Sequence, residues 1–250
     1  MDFSSLIVHH LVDRPVARLG HFVLTKHMFM MLLASGFATV SLVWSAHGRS
    51  RGARGVRLVV EGLVDFIWKD VVEPAMGPKG RGFMPYFLTL FLFIFLLNLF
   101  GLVPWGASAT ANISVAGGLS LLTFFLIHLS GVREHGVLHH LKNIVPHGLP
   151  LLVVPVVFVL ECVGYVTKTL ALCVRLFANM TAGHLVILLF LGLILLAGQS
   201  HVFTGLVFSP VLVALTLGLY LLELITALVQ AYVFTMLTAV FVGGAVRPDH

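Results

Sequence analysis

Charged residues are scarce in this chain: Asp, Glu, Lys and Arg together make up 10% of its 250 residues. A soluble globular domain carries roughly 25% of such residues. Hydrophobic residues account for 59% of the sequence, and the mean hydropathy is +1.05. The composition therefore excludes an ordinary soluble domain. It predicts an all-α integral membrane protein whose apolar residues face lipid and other helices.

Other features that would indicate a different class of protein are also missing. The two cysteines, Cys162 and Cys173, are too few for a disulfide framework. The sequence contains no GxxxxGK[ST] loop, so we expect no nucleotide to bind to this chain. The net charge of +5 comes largely from arginines in short loops, without the recognition helix or aromatic platform of a nucleic-acid-binding protein.

Five apolar zones are long enough to enter a bilayer. They cover about residues 21–44, 84–103, 113–129, 149–196 and 202–246. The fourth zone would be about 72 Å long as one helix, so it is either a steeply tilted helix or a helical hairpin within the membrane.

We treat residues 1–250 as a single membrane domain with five parts. These are an outer N-terminal segment (1–20), a first transmembrane helix (21–46), a basic loop with an interfacial helix (49–77), a transmembrane hairpin (84–131) and two long helices (146–246).

Basic residues in the short loops predict the orientation of these parts. HGRSRGARGVR, after the first zone, carries four arginines and is expected on the inner side, which places the N-terminus outside. GLVPWGASATAN has no Lys or Arg and fits the outer side, whereas GVREHGVLHHLK contains Arg133 and Lys142 and fits the inner side. Two further crossings leave the C-terminus inside.

The segment VRLVVEGLVDFIWKDVVEPAM mixes apolar and acidic residues between the first two zones. One helical face can hold Val59, Leu63, Phe66, Ile67 and Val71, with acids on the other face. This pattern predicts a helix at the membrane interface, ended by Pro74 and Gly77. Since its acidic face would repel anionic lipid, we expect the helix to lean on protein.

Arg175 is a permanent cation within the fourth zone, because a guanidinium does not lose its proton in proteins. At membrane depth such a charge costs at least ~2.5 kcal/mol and marks a functional site by default. Glu161, Lys168 and Arg175 are spaced seven apart and form one drifting stripe on a helix, with Asn179 within about 40° of Arg175. Pairing of Glu161 with Lys168 for packing alone is the alternative for those two residues.

Three more polar residues fall within the apolar zones. His184 lies on the opposite face of the helix from Arg175, where a lone histidine is usually structural. Glu223 and Gln230, also spaced seven apart, share one face of the fifth zone. A carboxyl group, an imidazole and amides that lead towards a fixed arginine would make a proton relay.

Other interpretations receive less support. A secondary transporter with a central arginine would show repeated halves and helices broken at matching positions, and we find no such repeat. A purely structural scaffold would not keep charges at membrane depth.

HGVLHH could bind a metal through His135 and His139 with Glu134 and His140 nearby, but we favour a solvated loop and expect no metal or cofactor. Asn98 fits an interhelical hydrogen bond and an outer access route equally well.

Four segments of the sequence resemble subunit a of the rotary F-type ATP synthase. They are LCVRLFANMTAGH, ELITALVQAYVFTMLTAVF, NLFGLVP and TANIS, and the resemblance extends over roughly residues 22–246. It implies two long tilted, near-horizontal helices facing a c-ring. It also implies that Arg175 faces the proton-carrying carboxylate of that ring, with Asn179 one turn away and Gln230 near the arginine.

The resemblance further implies two offset half-channels for protons. His184 and Glu223 match the outer half-channel, with acid and imidazole in the opposite order from some members of the family. Glu161 matches the acid of the inner half-channel, and Lys168 matches a basic position nearby.

The implied partners are the c-ring, b-type subunits of the peripheral stalk and the lipid bilayer. ATP chemistry would occur elsewhere in the complex. The implied membrane is a bacterial plasma membrane, with the mitochondrial inner membrane as the alternative. Both protons and sodium ions remain candidates for the transported ion, because the c-ring decides between them.

Overall fold

The computed structural model describes residues 15–19, 22–48, 50–103, 108–138, 150, 153–200 and 202–246. Side chains are described within these ranges except at residues 15–22 and 195–208. His139 and His140, potential metal ligands that we assign to a solvated loop, lie outside the described residues, as do the basic loop residues Arg49 and Lys142.

The N-terminal part contains a β-hairpin that the all-helical prediction did not include. Strands β1 (Pro15–Leu19) and β2 (Phe22–Thr25) pair in antiparallel register, with Ala17 opposite Leu24. The first long helix, α1 (Lys26–His47), follows directly, and the Thr25 hydroxyl caps it by accepting a hydrogen bond from the Met28 amide at 3.4 Å. The helix therefore begins at Lys26 rather than at residue 21, because Phe22–Thr25 is extended and paired.

The predicted interfacial helix is divided into several helical pieces. Helix α2 (Arg51–Phe66), capped by Ser50, continues through a π-helical turn (Ile67–Val72) into the short helix α3 (Glu73–Met76). Pro74 lies in the first turn of α3 and does not end the helix, because proline fits the start of a helix. The end comes at Gly77, whose φ of 60° suits glycine. A 3₁₀ segment (Gly77–Phe83) then leads to the next long helix.

The later part of this amphipathic region leans on protein, as predicted. Ile67 and Val71 are buried, whereas Val59 is exposed. The acidic face remains open to the surroundings, and Glu61 and Asp65 form ion pairs of 2.8 Å with Arg57 and Lys69 one turn away along the helix. Two of the acids on this face are therefore paired with bases of the same helical segment.

Helices α4 (Met84–Leu102) and α5 (Ile113–His135) occupy the region predicted as a transmembrane hairpin, with a 3₁₀ turn (Ala109–Ala111) before α5. Asn112 caps α5 by accepting a hydrogen bond from the Ser114 amide at 2.9 Å. Helix α5 extends to His135, beyond the predicted end at residue 131, and Gly136 follows it with a φ of 78°.

The two long zones form one continuous helix each. Helix α6 (Val154–Ser200) has 47 residues and α7 (Val202–Val246) has 45. The fourth zone is therefore one helix and not a hairpin. At 1.5 Å per residue each helix is about 70 Å long, more than twice the ~30 Å hydrocarbon core of a bilayer. Helix α7 tolerates Pro210 in its interior.

The helices pack as one membrane bundle. Helix α7 contacts α4, α5 and α6, and a buried apolar cluster that includes Ile94, Leu176 and Phe234 lies among them. Within the described residues, five helical segments are long and apolar enough to cross a membrane: Lys26–His47, Arg51–Leu102, Ile113–His135, Val154–Ile194 and Ser209–Val246. The prediction of an all-α integral membrane protein is confirmed.

A close backbone approach at Gly243 makes a testable prediction about stability. A Cβ atom at Gly243 would collide with the Ala75 carbonyl oxygen, whereas one at the adjacent Gly244 would meet nothing within 4 Å. Gly243→Ala should therefore separate α7 from α3 and lower the stability by about 1–3 kcal/mol, the usual cost of overpacking. Thermal unfolding in detergent measures this effect, with Gly244→Ala as the matched control. Equal melting temperatures for the two variants would contradict it.

Candidate functional site

The packing of α6 against α7 brings His184 and Glu223 together. The His184 Nδ1 atom lies 3.6 Å from the Glu223 Oε1 atom. The Glu223 side chain is 4% exposed and that of His184 is 21% exposed. Two titratable groups from distant parts of the sequence therefore form one buried pair, slightly beyond the usual length of a hydrogen bond.

Gly183 makes room for this pair. A Cβ atom at Gly183 would lie 2.6 Å from the Glu223 Oε1 atom and 2.9 Å from its Cδ atom, distances that non-bonded atoms do not adopt. The Glu223 carboxyl group therefore rests against the backbone of α6. Sequence reasoning did not assign a role to Gly183, although its position directly before His184 in LFANMTAGH could have indicated one.

The Glu223 carboxyl group is buried without a hydrogen-bond donor among the described residues. Both of its oxygens lack a hydrogen-bond partner among the described residues, an arrangement that is costly for an ionised group. Taking up a proton removes this buried charge, and releasing the proton restores it. The group therefore has the chemistry that a proton relay needs.

Gln230 lies two helical turns after Glu223 on α7. It is also buried, and its Nε2 atom has no hydrogen-bond partner among the described residues. Seven residues complete nearly two turns of a helix, so the two side chains leave α7 in similar directions, as predicted. The Gln230 amide is therefore enclosed within the packed helices rather than presented on their surface.

Arg175, unlike the buried Glu223 and Gln230, lies on an exposed surface of the protein. Its side chain is exposed on α6, as are the neighbouring apolar side chains of Leu170 and Val174. Within the described residues Arg175 forms no ion pair and no side-chain hydrogen bond. Asn179, one turn later, is half-buried, and Leu176 and Met180 anchor this part of α6 in the core.

Glu161 and Lys168 do not pair with each other. The Lys168 ammonium lies 5.1 Å from the centre of the Tyr165 ring and 5.6 Å from that of Phe241, within cation–π range. The alternative of a Glu161–Lys168 packing pair is therefore wrong: the ammonium lies instead against one ring of its own helix and one ring of α7. His128 also contacts Tyr165, with ring centres 5.1 Å apart, and sequence reasoning did not single it out.

Asn98 makes an interhelical hydrogen bond. Its Nδ2 atom donates to the Ala227 carbonyl oxygen of α7 at 3.3 Å. Its Oδ1 atom accepts from the Thr110 hydroxyl at 2.7 Å. The structural interpretation of Asn98 is thus confirmed, and its place on an access route stays a prediction.

Comparison with known proteins decides the family. A family model described as ATP synthase A chain matches residues 28–243. The chain belongs to the ATP synthase A chain family. It is 40% identical over 257 residues to ATP synthase subunit a of Chloroherpeton thalassium, covering 100% of this chain and 74% of that protein. It is 43% identical over 226 residues to ATP synthase subunit a of Anaeromyxobacter dehalogenans, covering 88% of this chain and 57% of the relative.

A third member of the ATP synthase A chain family is similar to this chain over a comparable length. ATP synthase subunit a 2 of Chlorobaculum tepidum is 40% identical over 267 residues, covering 96% of this chain and 72% of the relative. The resemblance noted in the sequence is confirmed. These bacterial relatives and the apolar helices support an integral protein of a bacterial plasma membrane.

The potential metal ligands near the end of α5 have protein partners in this member of the ATP synthase A chain family. Glu134 forms an ion pair with Lys79, and the His135 Nε2 atom lies 3.1 Å from the Val246 carbonyl oxygen. Among the described residues, no group of three or more His, Cys, Asp or Glu side chains could hold a metal ion. These contacts instead join the ends of α5 and α7 to the 3₁₀ segment before α4.

Proposed function

We propose that this chain is the proton-translocating subunit a in the membrane sector of a bacterial rotary ATP synthase. Its membership of the ATP synthase A chain family supports the assignment. One structural observation carries it: Arg175 is an exposed cation on a membrane-spanning helix, without an ion pair among the described residues. A charge at membrane depth needs a polar partner. In this proposal the partner is a carboxylate on a c-ring that turns past α6.

Arg175 would hold each passing carboxylate and keep the two half-channels apart. A protonated carboxyl group can rotate into lipid, whereas an ionised one is too costly there. The guanidinium therefore meets the carboxylate only in its ionised form, between proton release and proton uptake. A permanent partner within this chain would compete with that exchange, which agrees with the exposure of Arg175 and with the half-buried Asn179 one turn away.

Glu223 and His184 would line the outer half-channel. Their side chains lie 3.6 Å apart, so a small rotation of either one would bring them within hydrogen-bond reach for proton transfer. Gln230 follows two turns later on α7, with a buried amide that has no hydrogen-bond partner among the described residues, and would continue the path of the proton towards Arg175. The order of acid and imidazole, His184 on α6 and Glu223 on α7, should change the pH dependence of the relay while keeping its chemistry.

Glu161 would mark the inner half-channel. It is half-buried on α6, about four turns and therefore about 21 Å along the helix from Arg175. Lys168 lies midway between them, with its ammonium held near Tyr165 and Phe241. A fixed positive charge at this point would favour the ionised carboxylate and so assist proton release towards the inside.

The remaining subunits of the complex would cover other surfaces of this chain. The c-ring would face the long helices α6 and α7, which would lie strongly tilted, and b-type subunits of the peripheral stalk would contact the bundle elsewhere. The arginines at the start of α2 would lie inside, with the N-terminus outside. ATP would be formed on other subunits, with no nucleotide bound by this one.

Reconstitution in vesicles tests this function. The complete ATP synthase containing this chain should synthesise ATP when a proton gradient is imposed. The chain alone should transport no solute. Complex assembled without this chain is the control and should give no gradient-driven synthesis. Uptake of a solute by the chain alone would favour the secondary transporter and contradict the proposal. Varying the sodium concentration at constant pH identifies the transported ion.

A further inference from the structure

Three buried polar side chains connect the α4–α5 turn to α7. Asn98 and Thr110 are fully buried, and Ser108 is nearly so. The Thr110 hydroxyl donates to the Asn98 Oδ1 atom at 2.7 Å and lies 2.9 Å from the Ser108 hydroxyl. The Asn98 Nδ2 atom reaches the Ala227 carbonyl oxygen at 3.3 Å. The result is a continuous chain of hydrogen bonds that ends on the backbone of α7.

The donor and acceptor of each of these hydrogen bonds can be assigned from the last acceptor, the Ala227 carbonyl oxygen. A backbone carbonyl only accepts hydrogen bonds, so the amide nitrogen of Asn98 must face Ala227 and its oxygen must face Thr110. The single proton of the Thr110 hydroxyl is then used, and Ser108 must donate to Thr110. Every member therefore has one defined role, and removing one hydroxyl leaves the next group buried and unsatisfied.

A glycine holds Ser108 against α4. A Cβ atom at Gly101 would lie 2.6 Å from the Ser108 Cβ atom, so this approach requires glycine on α4. The start of the hydrogen-bonded chain is thus fixed to α4 by close packing. Its other end, at Ala227, is fixed to α7 by a directional bond.

The hydroxyl side chains of α7 do little to fix its height, which here means its position along its own axis relative to the neighbouring helices. Four buried or half-buried hydroxyls bond to carbonyl oxygens of α7 itself, at 2.8 to 3.0 Å: those of Thr216, Thr226, Thr235 and Thr238. Apolar side chains gain little by leaving lipid for a neighbouring helix. Directional bonds from other helices are therefore valuable for setting the position of α7 along its axis. One, from Asn98, lies at Ala227 close to Glu223, and another, from His135, lies at Val246 at the far end of α7.

The position of Glu223 depends on that height. Neither oxygen of its carboxyl group has a hydrogen-bond partner among the described residues, so the α7 backbone places it opposite Gly183 and His184. Ala227 lies one turn beyond Glu223, about 6 Å along the axis. The His184 Nδ1 and Glu223 Oε1 atoms are already 3.6 Å apart. Moving α7 along its axis by a single residue, about 1.5 Å, would therefore separate the two side chains.

We propose that Ser108, Thr110 and Asn98 are positioning residues for proton uptake. They fix α7 at Ala227 and so keep Glu223 at the height of His184. This inference rests on the proposed role of Glu223 in the outer half-channel. It assigns a function to side chains that need not touch the transported proton.

Substitutions at Thr110 test the proposal in the complete ATP synthase reconstituted in vesicles. Thr110→Val keeps the shape of the side chain but removes the hydroxyl, and Thr110→Ser keeps the hydroxyl. We expect Thr110→Val to slow potential-driven proton flow several-fold and to shift its pH profile, because the spacing of Glu223 and His184 changes. Thr110→Ser should match the wild type in both. A Thr110→Val complex with wild-type rate and pH profile would overturn the proposal.

Asn98→Asp provides a second test that stands even if Thr110→Val does not assemble. The introduced carboxyl group, when neutral, can accept from Thr110 and donate to the Ala227 carbonyl oxygen, whereas an ionised one cannot donate. Proton flow should therefore approach the wild-type rate at acidic pH and fall several-fold below it at alkaline pH. If proton flow through the Asn98→Asp complex equals that of the wild type at alkaline pH, residue 98 only lines a water path. That result would overturn the proposal.

The wild type and Glu223→Gln separate this inference from the proposed function. If Glu223→Gln leaves the rate and pH profile of proton flow unchanged, Glu223 is not in the relay and both proposals fail. If Glu223→Gln slows proton flow while Thr110→Val and Asn98→Asp behave like the wild type, only the positioning role fails.

Discussion

Replacing Arg175 by alanine is expected to reduce gradient-driven ATP synthesis to background and to raise passive proton leak through the complex. Without the guanidinium, nothing holds the ionised c-ring carboxylate between release and uptake, and a proton can pass between the half-channels without rotation. Each proton that crosses 100 mV supplies ~2.3 kcal/mol, and leak dissipates that energy. ATP synthesis and vesicle acidification, measured on the same preparation, report the two effects separately.

Two matched variants sharpen the Arg175 experiment. Arg133→Ala removes a cation near the end of α5 and should leave synthesis and leak unchanged. Arg175→Lys keeps the charge but loses the planar, two-pronged donor geometry, so we expect it to restrict leak better than alanine while still impairing synthesis. Unaltered coupled synthesis in Arg175→Ala would refute the proposed function.

Glu223→Gln is expected to slow proton uptake by about 10²-fold, at the lower end of what a positioned acid–base group contributes. The substitution keeps the shape of the side chain, which is buried against Gly183, but it removes the group that takes up and releases the proton. The pH profile of proton flow should change as well, because His184 then titrates without a carboxyl group 3.6 Å away. Stopped-flow acidification of vesicles over a range of pH measures both effects.

Two further substitutions show whether the slower proton uptake comes from the Glu223–His184 pair itself. Glu61→Gln removes an exposed acid on α2 and should leave proton flow unchanged. Gly183→Ala retains both titratable groups but places a methyl group 2.6 Å from the Glu223 Oε1 position, so it should also slow the flow. A wild-type pH profile in Glu223→Gln would remove this carboxyl group from the relay.

The membrane-spanning helices were predictable because they depend on properties that neighbouring residues share. Long apolar zones indicated the spans, and the regular spacing of Glu161, Lys168 and Arg175 placed them along one stripe of α6. The β-hairpin before α1 was missed because an apolar segment next to a transmembrane helix reads as part of that helix. Pro74 was misjudged as a terminator because the π-helical turn directly before α3, which places Pro74 in a first turn, is not visible in the sequence.

The partners of individual side chains were less predictable, because they come from distant segments. Lys168 on α6 contacts Phe241 near the end of α7, and no spacing rule connects the two. Gly183 matters through the carboxyl group of Glu223, which belongs to a different helix. Arg175 was easier to recognise because what identifies it is the lack of a local partner, which the sequence of its own helix already displays.

The lengths of α6 and α7 have a consequence for the depth of their charges. Arg175 lies close to the middle of Val154–Ser200, and Glu223 lies close to the middle of Val202–Val246. If the two ends of each helix reach opposite surfaces, the midpoint stays near the centre of the bilayer at any tilt. A thicker or thinner membrane would then change the angle of the helices and leave both charges about equally far from either face.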